Sequence, residues 1–275
     1  MAPADRYAVM GNPIAHSKSP RIHAMFAAQT GQDMVYEAIL VERGRFPEAV
    51  AEFHAAGGKG LNVTVPFKEE AWALADTRSA RAERAGAVNT LVLNADGSRY
   101  GDNTDGVGLV RDLRDNLGLR LAGARILVVG AGGAARGILG ALLAERPAWV
   151  TVANRTVPRA EHLAAAFADL GSVTACGFEA LAGRTFDLIL NATAASLSGE
   201  VPALPPEVVR PGTVCYDLAY GERGETPFVA WARAHGAARA VDGLGMLVEQ
   251  AAESFHLWRG VRPDTRPVIE ALRAA

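Results

Sequence analysis

Two short segments carry the clearest chemistry in the chain. The turn Gly130-Ala131-Gly132-Gly133-Ala134-Ala135-Arg136 follows the apolar run Arg125-Ile126-Leu127-Val128-Val129, and Asn154-Arg155-Thr156 follows the next apolar run, Trp149 to Ala153. Without side chains at Gly130 and Gly132 the backbone can turn sharply and approach a pyrophosphate, whose charge the N-terminus of a helix from Gly133 to Leu143 would stabilise. Folds that bind NAD carry a carboxylate about 20 residues on, at the end of the second strand, to hold the ribose 2′-hydroxyl. Here that strand ends in Asn154 and Arg155, with Arg159 one helical turn further. The two segments therefore predict an NADP(H) site in which a guanidinium meets a 2′-phosphate. The bland alternative is a pair of solvated surface arginines; two arginines flanking Thr156 count against it.

A second set of polar clusters lies in the first half: Ser17 with Ser19, Asn62 through Lys68, and Asn103-Thr104-Asp105. Each falls at the carboxyl end of a predicted strand, outside which ligands of open α/β sheets bind. Lys68 starts a helix, where the macrodipole disfavours a cation, so something other than helix stability accounts for it. Asp105 and Ser19 have a purely structural alternative as helix N-caps.

The elements that position these groups are readable from periodicity and punctuation. Tyr7 to Met10 is a strand, followed by a helix from Pro20 that Gly31 stops. Val35 to Leu40 and Leu61 to Val65 are strands, the latter terminated by Pro66, with helices over Arg45 to Ala56 and Glu69 to Ala75. Ala87 to Leu93 and Ser98 to Gly101 flank the turn Asn94-Ala95-Asp96-Gly97 and predict an antiparallel hairpin. Strands then recur at Arg125 to Val129, Trp149 to Ala153, Phe186 to Leu190, Val214 to Asp217 and Ala238 to Val241, which predicts a doubly wound sheet. In the tail from Leu244 to Trp258, Leu247, Ala251, Ser254, Phe255 and Trp258 share one helical face, Gln250 lies at its margin, and Glu249, Glu253 and His256 point elsewhere.

The fold class is thus α/β: a first α/β unit with a mostly parallel sheet over 1–104, a connecting helix and linker over 105–123, a doubly wound unit carrying the predicted NADP(H) site over 124–243, and a helical tail over 244–275. A chain of 275 residues is long enough for two cores. Lys plus Arg at 28 against Asp plus Glu at 30 leaves a formal charge of -2, which argues against a nucleic-acid or membrane-surface binder. Cys176 and Cys215 lack metal-ligand spacing, so buried thiols in a reducing cytoplasm are expected, and no metal. No stretch approaches the roughly 20 apolar residues of a membrane span.

Gly11-Asn12-Pro13-Ile14-Ala15-His16-Ser17-Lys18-Ser19-Pro20, Asn62-Val63-Thr64-Val65-Pro66-Phe67-Lys68, Gly86-Ala87-Val88-Asn89-Thr90, Gly101-Asp102-Asn103-Thr104-Asp105-Gly106, the glycine turn, Asn154-Arg155-Thr156 and Asp242-Gly243-Leu244-Gly245-Met246 occur in that order. With these strings the chain resembles the shikimate dehydrogenase family over nearly its whole length. The resemblance implies reversible NADPH-dependent reduction of 3-dehydroshikimate to shikimate, on the route through chorismate to the aromatic amino acids; it makes 1–104 an N-terminal α/β substrate-binding catalytic domain and 124–243 a C-terminal Rossmann NADP-binding domain, with the helices of 244–275 returning to the first domain. It makes Lys68 and Asp105 the catalytic pair. It implies that Ser17 and Ser19 hold the substrate carboxylate, that Asn62, Thr64 and Asn89 contact carboxylate or ring hydroxyls, and that Tyr220 and Gln250 complete the pocket. On the cofactor side it assigns Gly130, Ala131, Gly132, Gly133 and Ala134 to the pyrophosphate, Asn154, Arg155, Thr156 and Arg159 to the adenosine phosphate, and Leu218 and Gly243 to the surroundings of the nicotinamide. A monomer or homodimer with small-molecule partners is expected. Ala135, Ala194-Ala195 and Ala219 depart from the family pattern and bear on details of cofactor contact. Two other readings stand beside this one: a quinate/shikimate dehydrogenase with relaxed cofactor choice, and a non-catalytic NADP(H)-binding sensor, which would have no need of a proton donor such as Lys68.

Overall fold

Two six-stranded sheets organise the chain in the computed structural model, which describes residues 3–221 and 225–274. They belong to two compact units. One comprises Met1–Gly108 with Val248–Ala271, the other Leu109–Leu247 with Leu272–Ala275.

The first unit contains β1 (Asp5–Gly11), α1 (Ser19–Thr30), β2 (Met34–Leu40), α2 (Phe46–Ala55), β3 (Gly58–Val63), α3 (Lys68–Leu74), β4 (Thr77–Arg78), α4 (Ala80–Ala85), β5 (Thr90–Leu93), β6 (Arg99–Asp102) and the start of α5 (Asp105–Arg111). Its sheet order is β2-β1-β3-β5-β6-β4. β1 pairs in parallel with β2 and β3, and β4 with β6, whereas β5 runs antiparallel to both its neighbours. That reversal decides where the polar clusters fall. β5 begins beside the end of β3, with Asn62 opposite Thr90, and β6 ends beside the start of β5, with Thr90 opposite Asp102. The residues after β1, β3 and β6 and before β5 therefore share one edge of the sheet. Phe46, Phe53, Leu61, Phe67 and Leu91 fill the core on one face.

The second unit contains β7 (Arg125–Val129), α6 (Gly133–Ala144), β8 (Trp149–Ala153), α7 (Val157–Phe167), β9 (Val173–Cys176), β10 (Leu188–Asn191), β11 (Val214–Asp217), α8 (Pro227–Ala234) and β12 (Arg239–Val241). Every described pairing in this sheet is parallel, in the order β12-β11-β10-β7-β8-β9. This is the doubly wound order, with its switch point between β7 and β10. Parallel strands are covered on both faces, which accounts for the unbroken apolar runs: Ile126, Val128 and Leu190 face one core, and Leu127, Val129 and Ile189 the other. The tail forms α9 (Leu244–Arg259) and α10 (Arg266–Arg273), and the division between the units falls within α5 and again within α9.

Several sequence expectations are corrected. Ser19 is the first residue of α1 rather than its cap; Lys18 holds the cap position and no side chain caps the helix. β3 starts earlier than Leu61 and ends at Val63. Phe186 and Asp187 precede β10 rather than opening it. β4, α4 and β9 escaped the sequence reading because each is short, although α4 has a capping serine, Ser79, whose Oγ accepts from the Ala82 N–H at 3.1 Å. Glu249 and Glu253, expected on an outward face of α9, are buried. Thr265 Oγ1 donates to Glu249 Oε1 at 2.6 Å, and Arg81 and Arg262 pair with Glu253, so each carboxylate has a donor.

His23 on α1 is fully buried in the first unit, stacked on Tyr36 with ring centroids 4.1 Å apart and planes 8° apart. Neither ring nitrogen has a hydrogen-bond partner among the described residues, and burial lowers its pKa from 6.5 to about 3. The fold thus holds the imidazole neutral, while the unfolded chain takes up a proton below 6.5. Its contribution to stability is complete above that pH and is lost as pH falls toward 3. The parent is expected to lose up to about 1.4 kcal/mol more per pH unit across this window than His23→Phe, which keeps a stacked ring. Thermal unfolding of both proteins from neutral to acid pH measures the difference, and parallel pH profiles would contradict it.

Candidate active site

The shared sheet edge of the first unit gathers Lys68, Asn89, Thr104 and Asp105. Lys68 opens α3, directly after the segment that follows β3, and its Nζ donates to Asp105 Oδ2 at 2.6 Å. The lysine side chain is 27% exposed and that of Asp105 10%, so the pair is largely withdrawn from water while the ammonium stays reachable. The other carboxylate oxygen, Oδ1, accepts from Asn89 Nδ2 at 2.8 Å. Both oxygens are engaged away from the helix. With Lys68 and Asn89 as their partners, and Asp105 the first residue of α5 rather than the residue before it, they do not serve as its N-cap; the Asp105 N–H donates to Asn103 Oδ1 at 3.1 Å.

Around this pair lies a buried polar network. Asn89 Nδ2 also donates to Thr104 Oγ1 at 2.9 Å and to Gln250 Oε1 at 3.3 Å, and Asn89 Oδ1 accepts from the Thr104 N–H at 2.9 Å. Gln250 reaches it because α9 passes close to α5: a Cβ on Gly108 would sit 2.7 Å from both the backbone nitrogen and the Cβ of Gln250. Gly108 was not singled out from the sequence; its signal is a glycine inside a helix, where one usually marks a close approach. Ser254, one turn beyond Gln250, bonds Thr90 Oγ1 at 2.8 Å and accepts from Asn62 Nδ2 at 2.9 Å.

Asn62 is bonded within its own unit. Its Oδ1 accepts from the Tyr36 hydroxyl at 2.8 Å and its Nδ2 faces Asn89 O, Thr90 Oγ1 and Ser254 Oγ, so the amide is engaged inside the unit. Asn89 is similarly tied to its neighbours, Asp105 Oδ1 among them. Ser17 and Thr64 are half-buried and Ser19 is buried, at the ends of β1 and β3. The Ser19 N–H donates to Ser17 Oγ at 3.3 Å, which holds the two hydroxyl residues in one turn.

In the second unit the glycine turn sits at the switch point. Gly130 has φ 105°, and a Cβ there would lie 3.0 Å from Thr193 Cγ2 and 3.2 Å from the Ala192 backbone, so this position requires glycine twice over. Gly132 has an ordinary φ of -92°, and a Cβ on it would meet nothing within 4 Å. Its missing side chain serves neither turn nor packing and leaves open space before α6, whose first turn lacks a side-chain cap. Ala131, Gly133 and Ala134 complete this opening, which suits a pyrophosphate. At the end of β8, Arg155, Thr156 and Arg159 are exposed, and Asn154 Nδ2 donates to Thr156 O at 2.9 Å. No carboxylate terminates that strand. Leu218 and Gly243 come together: a Cβ on Gly243 would collide with Leu218 O. Tyr220 follows on the same loop, and burial raises the pKa of its phenol, keeping it a neutral donor.

A doubly wound sheet with an uncapped glycine turn and a strand-end arginine, joined to a second α/β unit with a lysine–carboxylate pair, defines the class of nicotinamide-dependent dehydrogenases. Family models agree: residues 9–91 match the shikimate dehydrogenase substrate binding domain, 112–198 shikimate/quinate 5-dehydrogenase, and 243–273 the shikimate 5′-dehydrogenase C-terminal domain. A shikimate dehydrogenase (NADP(+)) of Methylococcus capsulatus is 65% identical over 274 residues, 100% of this chain and 98% of the relative. Among solved structures, an Ael1 enzyme from Pseudomonas putida is 48% identical with TM-score 0.92, covering 98% of each chain. The shikimate 5-dehydrogenase of Thermus thermophilus, solved with NADP(H) and shikimate, is 36% identical with TM-score 0.87, covering 98% of this chain and 99% of that one. The chain belongs to the shikimate dehydrogenase family.

Gly108→Ala is expected to cost about 1–3 kcal/mol through overpacking and to lower turnover by displacing Gln250 from Asn89 and Thr104. Thermal unfolding together with steady-state kinetics checks this, and parental values in both would contradict the close approach of α5 and α9.

Proposed function

We propose that the chain catalyses the reversible, NADPH-dependent reduction of 3-dehydroshikimate to shikimate, a step toward chorismate and the aromatic amino acids. The observation that carries this reading is the 65% identity to an NADP-dependent shikimate dehydrogenase along the full chain. NADPH, when bound, supplies the hydride. The substrate falls chiefly to residues of the first unit. Reduction of a ketone develops negative charge on its oxygen, and Lys68 can give that oxygen a proton or stabilise the charge as an ammonium. Asp105 holds the ammonium in place and can accept from a substrate hydroxyl, and Asn89 fixes the carboxylate's plane.

Ser17 and Ser19 offer hydroxyl donors to the substrate carboxylate, and Thr64, Tyr220 and Gln250 offer polar groups to its hydroxyls. Asn62 acts through its neighbours, locking the start of β5 and Ser254. In the second unit the open space at Gly132 admits the pyrophosphate, while Arg155 and Arg159 meet the 2′-phosphate, with Asn154 and Thr156 shaping the strand end. Leu218 and Gly243 border the nicotinamide. The reading includes a cytoplasmic setting, supported by the unpaired thiols Cys176 and Cys215, and a monomer or homodimer. A lysine–carboxylate pair held in a largely buried network disfavours a sensor that only binds NADP(H).

Purified protein offered shikimate or quinate, each with NADP+ or NAD+, tests the whole reading: rapid reduction is expected with shikimate and NADP+, and inactivity with that pair would refute it. Lys68→Ala is expected to lower turnover by roughly 10²- to 10⁴-fold with NADP+ affinity retained. Near-parental turnover would remove Lys68 from the chemistry. A hydrogen bond to a charged group is worth roughly 1.5–3 kcal/mol, so Arg155→Ala should raise the KM for NADP+ by roughly 10- to 150-fold and barely alter that for NAD+. Equal weakening of both cofactors would show that Arg155 does not read the phosphate.

A further inference from the structure

Asp217, the last residue of β11, is fully buried in the second unit and touches none of the groups assigned above to a ligand through its own side chain. Its carboxylate accepts four hydrogen bonds from four separate places in the chain. Oδ1 takes Asn191 Nδ2 and the Ala219 N–H, each at 3.1 Å; Oδ2 takes Ser196 Oγ at 2.6 Å and Thr226 Oγ1 at 2.7 Å. Burial raises its pKa, and these four donors favour the charged form.

The donors are the anchor points of the loops that border the nicotinamide end of the site. Asn191 ends β10, and its Oδ1 accepts from the Thr193 hydroxyl at 2.7 Å and the Thr193 N–H at 3.2 Å. Thr193 is the residue that a side chain on Gly130 would strike, so the chain from Asp217 through Asn191 reaches the glycine turn. Ser196 belongs to the segment after β10. Ala219 lies between Leu218 and Tyr220, and the Leu218 N–H donates to Asn191 O at 2.9 Å. Thr226 caps α8, accepting from the Val229 N–H at 3.2 Å, so the far end of the 218–226 connection is tied to the same carboxylate.

We infer that Asp217 is the positioning residue for the nicotinamide end of the cofactor site, setting Leu218 and Tyr220 relative to the 191–196 segment and the glycine turn. This rests on the assignment of Leu218 and Gly243 to the nicotinamide. A helix-stabilising role alone would need only Thr226. Convergence of the donors from both neighbouring loops is what points to the site. The adenosine end at Arg155 lies at β8, across the switch point, and receives none of these four bonds.

The test separates the two ends of the cofactor, using the full-length protein with NADP+ and with adenosine 2′,5′-bisphosphate, which lacks the nicotinamide. For Asp217→Asn, kcat with shikimate and affinity for NADP+ are each expected to fall roughly tenfold or more while affinity for the bisphosphate stays within about twofold of the parent. Parental kcat and NADP+ affinity, or equal loss of both ligands, would overturn the inference. Ser196→Ala removes the Ser196 bond to Asp217 and the 3.5 Å bond from Asn191 Nδ2, leaves the Asn191, Ala219 and Thr226 donors in place, and serves should Asp217→Asn not fold. It is expected to lower kcat several-fold with bisphosphate affinity intact, and a parental kcat there would likewise overturn the inference. If the parent itself does not bind the bisphosphate, or if Arg155→Ala leaves that binding unchanged, the cofactor assignment fails and the inference falls with it.

Discussion

An ammonium and a carboxylate held 2.6 Å apart, mostly out of water, are useful to a reaction only if the carboxylate cannot swing away. The polar network around the pair bears on that constraint. Lys68 occupies the least favourable end of a helix for a cation, and Asp105 supplies the compensating charge from another element altogether. Asn89 in turn holds the second oxygen of Asp105, Thr104 holds Asn89, and Gln250 and Ser254 close the network from α9. Buried polar groups are costly when partly satisfied and rigid when fully satisfied, so the network fixes the pair in one arrangement.

The sheet makes that convergence possible. Had β5 run parallel to β3, Asn89 would stand at the opposite edge of the sheet from Lys68. Because β5 runs antiparallel, the start of one strand, the end of its neighbour and the end of β6 meet, and Asn62, Asn89 and Asp102 lie within one register step of each other. The price is a tight fit between α5 and α9, tolerated only because position 108 carries no side chain.

The second unit solves a different problem, that of admitting a charged ligand to backbone. Its glycines divide the work. Gly130 is demanded by its own backbone angle and by the chain after β10, whereas Gly132 is demanded by neither and leaves space in front of α6. The single buried carboxylate of Asp217 ties the segment after β10 to the residues that follow β11 and to the start of α8.

Periodicity and punctuation in the sequence determined the strands β7, β8 and β11 to the residue, the doubly wound sheet, the glycine turn, and the strand-end arginine in place of an acid. These are local signals, because an apolar run covered on both faces and a turn that needs glycine are each written in consecutive residues. The family strings also brought Lys68 and Asp105 forward as a pair. Tertiary structure alone decided what each polar residue touches. Asn62 and Asn89 read alike in sequence, yet one is absorbed by Tyr36, Thr90 and Ser254 and the other aims Asp105. Glu249 and Glu253 lie off the apolar face of α9 in sequence and are nevertheless buried against Thr265, Arg81 and Arg262. Ser19 and Asp105 each had a cap role open to them in sequence, and neither fills it. In each case the partner lies far along the chain, and a hydrogen bond is chosen by proximity in space, which strand order and helix packing set and residue spacing does not.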